Sequence, residues 1–257
     1  MTLALKRHCA WAVLLGTLFG RHVFPAQAVT VTGRVSLVAR VGESTATGNA
    51  DVVVWLEPLP GAARESAMTS PATPVRQEPA WRPDGRYQLL QKNKRFLPHM
   101  LVVPLGAVVE FPNRDPFFHN VFSMFEGKRF DLGLYEAGST RTVTFNKPGV
   151  SYIFCNIHPE MSAVIIVTGT PYYAISNRAG EITINGVQAG AYRLEVWAER
   201  CLPESLKALD REIDVSPSSS SFGELRLPES GDLLIKHKNK YGRDYDPADP
   251  SSPYGVH

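Results

Sequence analysis

The chain has 257 residues, 44% of them hydrophobic and 20% charged, with a formal charge of +2. That length suits one large or two modest domains, and the apolar share is ordinary for a protein with a packed core. Near-neutral charge argues against a nucleic-acid partner, which would call for a basic stripe.

Residues 1–28 read as a secretory signal. Lys6, Arg7 and His8 make a positive start, residues 9–19 (C-A-W-A-V-L-L-G-T-L-F) a short apolar run, and Ala26-Gln27-Ala28 a small-x-small cleavage site. The apolar run is too short to span a bilayer. The expectation is a periplasmic protein, not membrane-spanning, whose mature chain starts at Val29. Losing Lys6, Arg7 and Arg21, with no acidic residue in that stretch, takes the charge from +2 to −1. Cys9 leaves too, so Cys155 and Cys201 remain. In an oxidising compartment pairing is their ordinary outcome, and it would consume a thiolate that a metal could use.

Residues 29–60 read as two strands, V-T-V-T-G-R-V-S-L-V-A-R and D-V-V-V-W-L-E-P, around a polar, Gly-containing turn. Residues 61–85 carry Pro71, Pro74, Pro79 and Pro83 with few large aliphatics, the composition of an irregular connection. Strand character resumes through residues 86–169, with closely spaced turns such as Pro104-Leu-Gly106 and Lys147-Pro148-Gly149. Such spacing with almost no helical periodicity indicates an antiparallel β-sandwich of Greek-key type.

Residues 170–229 alternate again, punctuated by Gly186 and Gly190. They resemble the second half of a carboxypeptidase-regulatory-like or transthyretin-like β-sandwich. Gly33-Arg-Val35 and A-D-V-V-V-W-L (50–56) resemble its first half. Two arrangements stay open: one small sandwich split by an inserted domain, or residues 29–60 adding strands to that domain. The charged, Pro-rich stretch 230–257, with His237 and His257, is expected to be a disordered tail.

The chemistry concentrates in residues 150–162, V-S-Y-I-F-C-N-I-H-P-E-M-S. Cys155, His158 and Met161 stand in the spacing C-x₂-H-x₂-M on a tight loop between two apolar strands. A trigonal His₂Cys site with a weak axial Met is how proteins hold copper for electron transfer. The missing histidine is sought upstream, in F-P-N-R-D-P-F-F-H-N-V-F-S, at His119.

Together these stretches resemble the cupredoxins, the blue-copper proteins of plastocyanin and amicyanin type, and with Pro159 after the histidine they are most similar to amicyanin. The likeness covers about residues 86–168. It implies one copper ion, cycling between Cu(I) and Cu(II), on His119, Cys155, His158 and a weak axial Met161. It also implies that Asn120 ties the His119 strand to the Cys155 loop and that His158 presents a ring edge at the surface. Phe117, Phe118, Ile157 and Pro159 would give that edge an apolar rim, unless the two phenylalanines belong to the core. The partner would be a periplasmic redox protein of cytochrome c or dehydrogenase type, met through a small contact. A copper carrier or sensor would use the same ligands. An oxidase or reductase would need a second metal site, and none of the seven histidines forms a His-x-His pair, so no enzymatic role is expected. The fold expected is therefore all-β: a cupredoxin sandwich plus a second small sandwich. His99 reads as structural, and Lys92, Lys94 and Arg95 as a solvated edge.

Overall fold

The computed structural model describes residues 28–38, 48–60, 86–124, 127–230 and 237–245. The proposed signal up to Gln27, the connection 61–85 and His257 lie outside them. Two strands come first, β1 (Ala28–Val38) and β2 (Val53–Pro58). Between residues 87 and 168 lie β3 (Tyr87–Gln88), β4 (Leu90–Gln91), β5 (Phe96–Leu97), β6 (Met100–Pro104) and β7 (Ala107–Pro112). They are followed by β8 (His119–Ser123), β9 (Phe130–Tyr135), β10 (Thr140–Phe145), β11 (Gly149–Cys155) and β12 (Ser162–Thr168). The last elements are β13 (Tyr173–Ile175), β14 (Glu181–Gln188), β15 (Gly190–Trp197), the short helix α1 (Pro203–Lys207), β16 (Arg211–Val215) and β17 (Ser221–Pro228). The fold is all-β. No helix among the described residues is long and apolar enough to cross a membrane.

The first two strands pair with strands beyond residue 170. β1 runs between β14 and β17, and β2 between β13 and β15, with Val53 opposite Trp197 and Leu56 opposite Leu194. The strands between them in sequence form two other sheets, β10-β7-β3 and β6-β12-β11-β8-β9. Three pairs depart from the antiparallel expectation: β1 with β17, β3 with β7, and β6 with β12 are parallel. Parallel neighbours need a long crossover. All of β7 to β11 separates β6 from β12, a separation that short-range turn signals do not reveal.

β6 and β12 form a wall shared by two cores. Leu101, Val103, Ala163, Ile165 and Val167 face a core that also holds Cys155 and Met161. Val102, Val164 and Ile166 face the other way, into a core with Val54, Leu56 and Leu194. Burial on both faces is why A-V-I-I-V reads as a continuous apolar run instead of alternating. Each Val, Leu or Ile so removed from water stabilises the fold by about 1.5–3 kcal/mol, so the strand after Met161 is firmly anchored. His99 adds a polar tie across the wall: Nδ1 lies 3.1 Å from the Ser162 carbonyl and Nε2 2.8 Å from Glu199. The cysteines do not pair. Cys155 sits in the first core and Cys201 in the second, both free and buried.

Candidate metal centre

β8 presents the first imidazole. All five of its residues are buried, and it pairs with the end of β11, Phe122 opposite Phe154 and Val121 opposite Cys155. The pairing sets Cys155 beside His119. Past Cys155 the chain turns tightly. The Asn156 amide donates to the Asn120 carbonyl (2.9 Å), Met161 N–H to the His158 carbonyl (3.1 Å), and Cys155 N–H back to the Met161 carbonyl (3.3 Å). Pro159, with no N–H to satisfy, occupies the exposed apex.

This loop folds His158 over against His119. The two Nδ1 atoms are 3.1 Å apart, and each is 3.6 Å from Cys155 Sγ. All three side chains are fully buried, as is Met161, which shares the core with Cys155. For metal bonds of about 2.0–2.3 Å, the range for imidazole nitrogen and thiolate sulfur on a first-row divalent ion, these separations correspond to angles of roughly 100–110° at one common ion. The donor set fits a metal that accepts nitrogen and soft sulfur together.

Charge is kept out of the centre. Burial lowers the His119 pKa, against the opposing pull of Asp115, and burial together with neighbouring His119 and Lys94 pushes His158 down to about 4. Burial raises the Cys155 thiol, although backbone N–H groups of Asn120, Ile157 and His158 point at its sulfur and favour the thiolate. A cation would supply the charge that this pocket lacks, releasing the thiol proton as it binds.

Asp115 is the residue that sequence reading passed over. Only 4% exposed, its carboxylate accepts from His119 Nε2–H at 2.9 Å and from the backbone N–H of Asn93 (2.6 Å) and Lys94 (3.1 Å). Burial works against the carboxylate, yet these bonds hold it below its ordinary pKa. With the proton on Nε2, the Nδ1 lone pair of His119 faces the centre, the carboxylate–histidine arrangement that orients metal ligands. We expect Asp115→Asn to weaken metal binding about 10- to 100-fold, the range for such outer partners, measured by competition against a chelator.

Solved copper proteins are similar to part of this chain. A stretch covering 32% of this chain matches a purple cupredoxin from Nitrosopumilus maritimus over 99% of that protein, at 23% identity and a TM-score of 0.29. A variant of amicyanin in its reduced Cu(I) form matches 33% of this chain over 84% of its own length, at 22% identity and a TM-score of 0.31. A copper-containing nitrite reductase from Thermus scotoductus SA-01 matches 32% of this chain at 28% identity and a TM-score of 0.31, and the match spans about a fifth (22%) of the reductase. No protein-family model matches the chain, and no curated protein does.

Three details differ from the expectations. His158 shows no ring edge at the surface; it is fully buried, because Phe117 lies across both imidazoles, its ring centroid 5.4 Å from each. Phe117 is thus part of the lining, while Phe118 and Pro159 are exposed. The Asn120 side chain does not reach the Cys155 loop. It donates to Asp131 (2.6 Å) and to the Gly133 carbonyl (3.0 Å), and the tie to the loop is made by its backbone carbonyl. Finally, residues 237–245 of the expected disordered tail pack on the Cys155 loop, with His237 Nε2 2.9 Å from the Pro159 carbonyl.

Proposed function

We propose that the chain holds one copper ion on His119, Cys155 and His158, with Met161 as a weak axial ligand, and passes single electrons between periplasmic partners. The observation that carries this reading is the convergence of two buried Nδ1 atoms and one buried Sγ within 3.1–3.6 Å of one another. Copper, when bound, supplies a one-electron couple between Cu(II) and Cu(I).

The protein's part is to hold the ligands still. Thiolate and thioether suit Cu(I), imidazole suits both oxidation states, and the potential is tuned by the axial ligand and by hydrogen bonds to the sulfur. The ligands arise from strand ends braced by the pairing of β8 with β11 and by the wall of β6 and β12. Little movement is then needed as the charge changes. Full burial favours electron transfer over a copper carrier, since delivery of the ion would require the loop to open. Exposed Phe118 and Pro159 suit brief docking of a redox partner of cytochrome c or dehydrogenase type, which needs only a small contact. The segment up to Ala28 fits export to the periplasm.

Voltammetry of copper-loaded protein tests the proposal. A reversible one-electron couple, with copper retained through repeated reduction, is the expected result. Loss of copper upon reduction would point to the carrier reading instead.

A further inference from the structure

We propose that residues 237–245 are a clamp on the metal loop, in which His237 and Tyr245 act as positioning residues for the segment from Cys155 to Pro159. The inference deepens the copper reading, since Cys155 is the ligand being held.

Three grips carry it. Tyr245 donates its hydroxyl to the Cys155 carbonyl at 2.8 Å. That carbonyl lies at the end of β11, where the ladder to β8 stops at the pair Cys155–Val121. His237 donates Nε2–H to the Pro159 carbonyl at 2.9 Å, fixing the residue that directly follows His158. Lys240 N–H donates to Asn156 Oδ1 at 2.9 Å. The grips therefore fall on residues 155, 156 and 159, around both loop ligands Cys155 and His158.

The segment is also linked to the other ligand strand, through Asp131 of β9. Lys240 Nζ lies 2.8 Å from Asp131 Oδ2, while Asp131 Oδ1 accepts from Asn120, the residue after His119. One short stretch thus links the two motifs of the site. Its own geometry is consistent with a fixed posture: the His237 ring stacks on Phe154 at 3.9 Å and 22°, and the Tyr245 ring meets His237 edge-on at 5.2 Å and 84°. Tyr245 Oη also lies 3.2 Å from His237 Nδ1, so the two gripping side chains sit side by side.

The loop should open more often without these bonds, and a buried thiol reports such openings. The test uses the full-length, copper-free chain with Tyr245→Phe and His237→Ala combined, following alkylation of Cys155 by mass spectrometry so that Cys201 is counted separately. Two hydrogen bonds of ordinary net strength lead us to expect about tenfold faster labelling than in the wild type. Tyr245→Phe alone, which keeps the ring and loses only the hydroxyl, should show a smaller acceleration, and it decides the matter if the double variant fails to fold. Tyr245→Phe combined with His237→Gln, which keeps a donor at that position, should recover part of the protection. In copper-loaded samples the same variants should shift the visible band and the potential, which a purely remote structural role would leave in place. Labelling of folded Tyr245→Phe within about twofold of wild type, less than one hydrogen bond predicts, would overturn the clamp. Because alkylation is read without copper, a wild-type protein that protects Cys155 yet takes up no copper would sink the copper reading and leave the clamp standing.

Discussion

Replacing Cys155 by serine should abolish the intense visible absorption expected of the copper-loaded protein and lower copper affinity by more than about 100-fold, beyond the effect of an outer-sphere partner. That band would be a charge transfer from thiolate sulfur to Cu(II), and a serine hydroxyl is a hard, weakly acidic donor that cannot replace it. The substitution is small. Cys155 is fully buried, and the N–H groups of Asn120, Ile157 and His158 that point at its sulfur can equally donate to a hydroxyl. Copper-free Cys155→Ser should therefore melt close to wild type, a hydrogen-bonded exchange costing on the order of 1 kcal/mol. An unchanged melt beside a missing band separates lost ligation from lost folding.

The copper-free protein should also be acid-labile in a defined window. His158 falls from an ordinary 6.5 to about 4 on folding. Between those values the unfolded chain binds a proton that the folded chain refuses, so stability falls as pH drops from about 6.5 to about 4. For a shift of that size the loss approaches roughly 3 kcal/mol, and His119, also lowered by burial, adds in the same direction. His99 opposes it. Its pKa is raised, chiefly by its bond to Glu199, so its contribution is present below 6.5 and lost as pH rises through the raised value. Its side chain is 47% exposed, and solvent screening keeps that term small. Cys155, raised by burial, gives the alkaline flank above its ordinary value of 9. Urea titrations of copper-free protein at pH 7.5 and 4.5 measure the acid flank; equal stability at both would contradict the buried neutral imidazoles. Bound copper should move the flank to lower pH, because protons then compete with a metal.

The three converging donors were legible because their chemistry is local. C-x₂-H-x₂-M places Cys155 and His158 on one short loop, and H-N-V places His119 at a strand start, so few folds could keep them apart. What depended on distant residues was hidden. The resemblance implied a surface ring for His158, and the Phe117 that covers it lies 41 positions earlier, beyond the reach of the loop motif. Asp115 sat inside P-N-R-D-P, where turn formation explains every residue and conceals a carboxylate four positions before His119. The stretch A-V-I-I-V revealed burial on both faces, but not that two different cores meet there. Residues 237–245 are charged and poor in aliphatics, the composition of a solvated tail. They are held instead by polar and aromatic contacts to the metal loop, which composition does not register.

The measurement that bears most directly on the central claim is the optical and paramagnetic resonance spectrum of the oxidised wild-type protein after addition of one equivalent of copper. Ligation by His119, Cys155 and His158 with a weak axial Met161 should give an intense visible band and a narrow copper hyperfine splitting, both lost in Cys155→Ser. A weak absorption with wide splitting, or a spectrum unchanged in Cys155→Ser, would show that copper does not sit on this cysteine and would contradict the account.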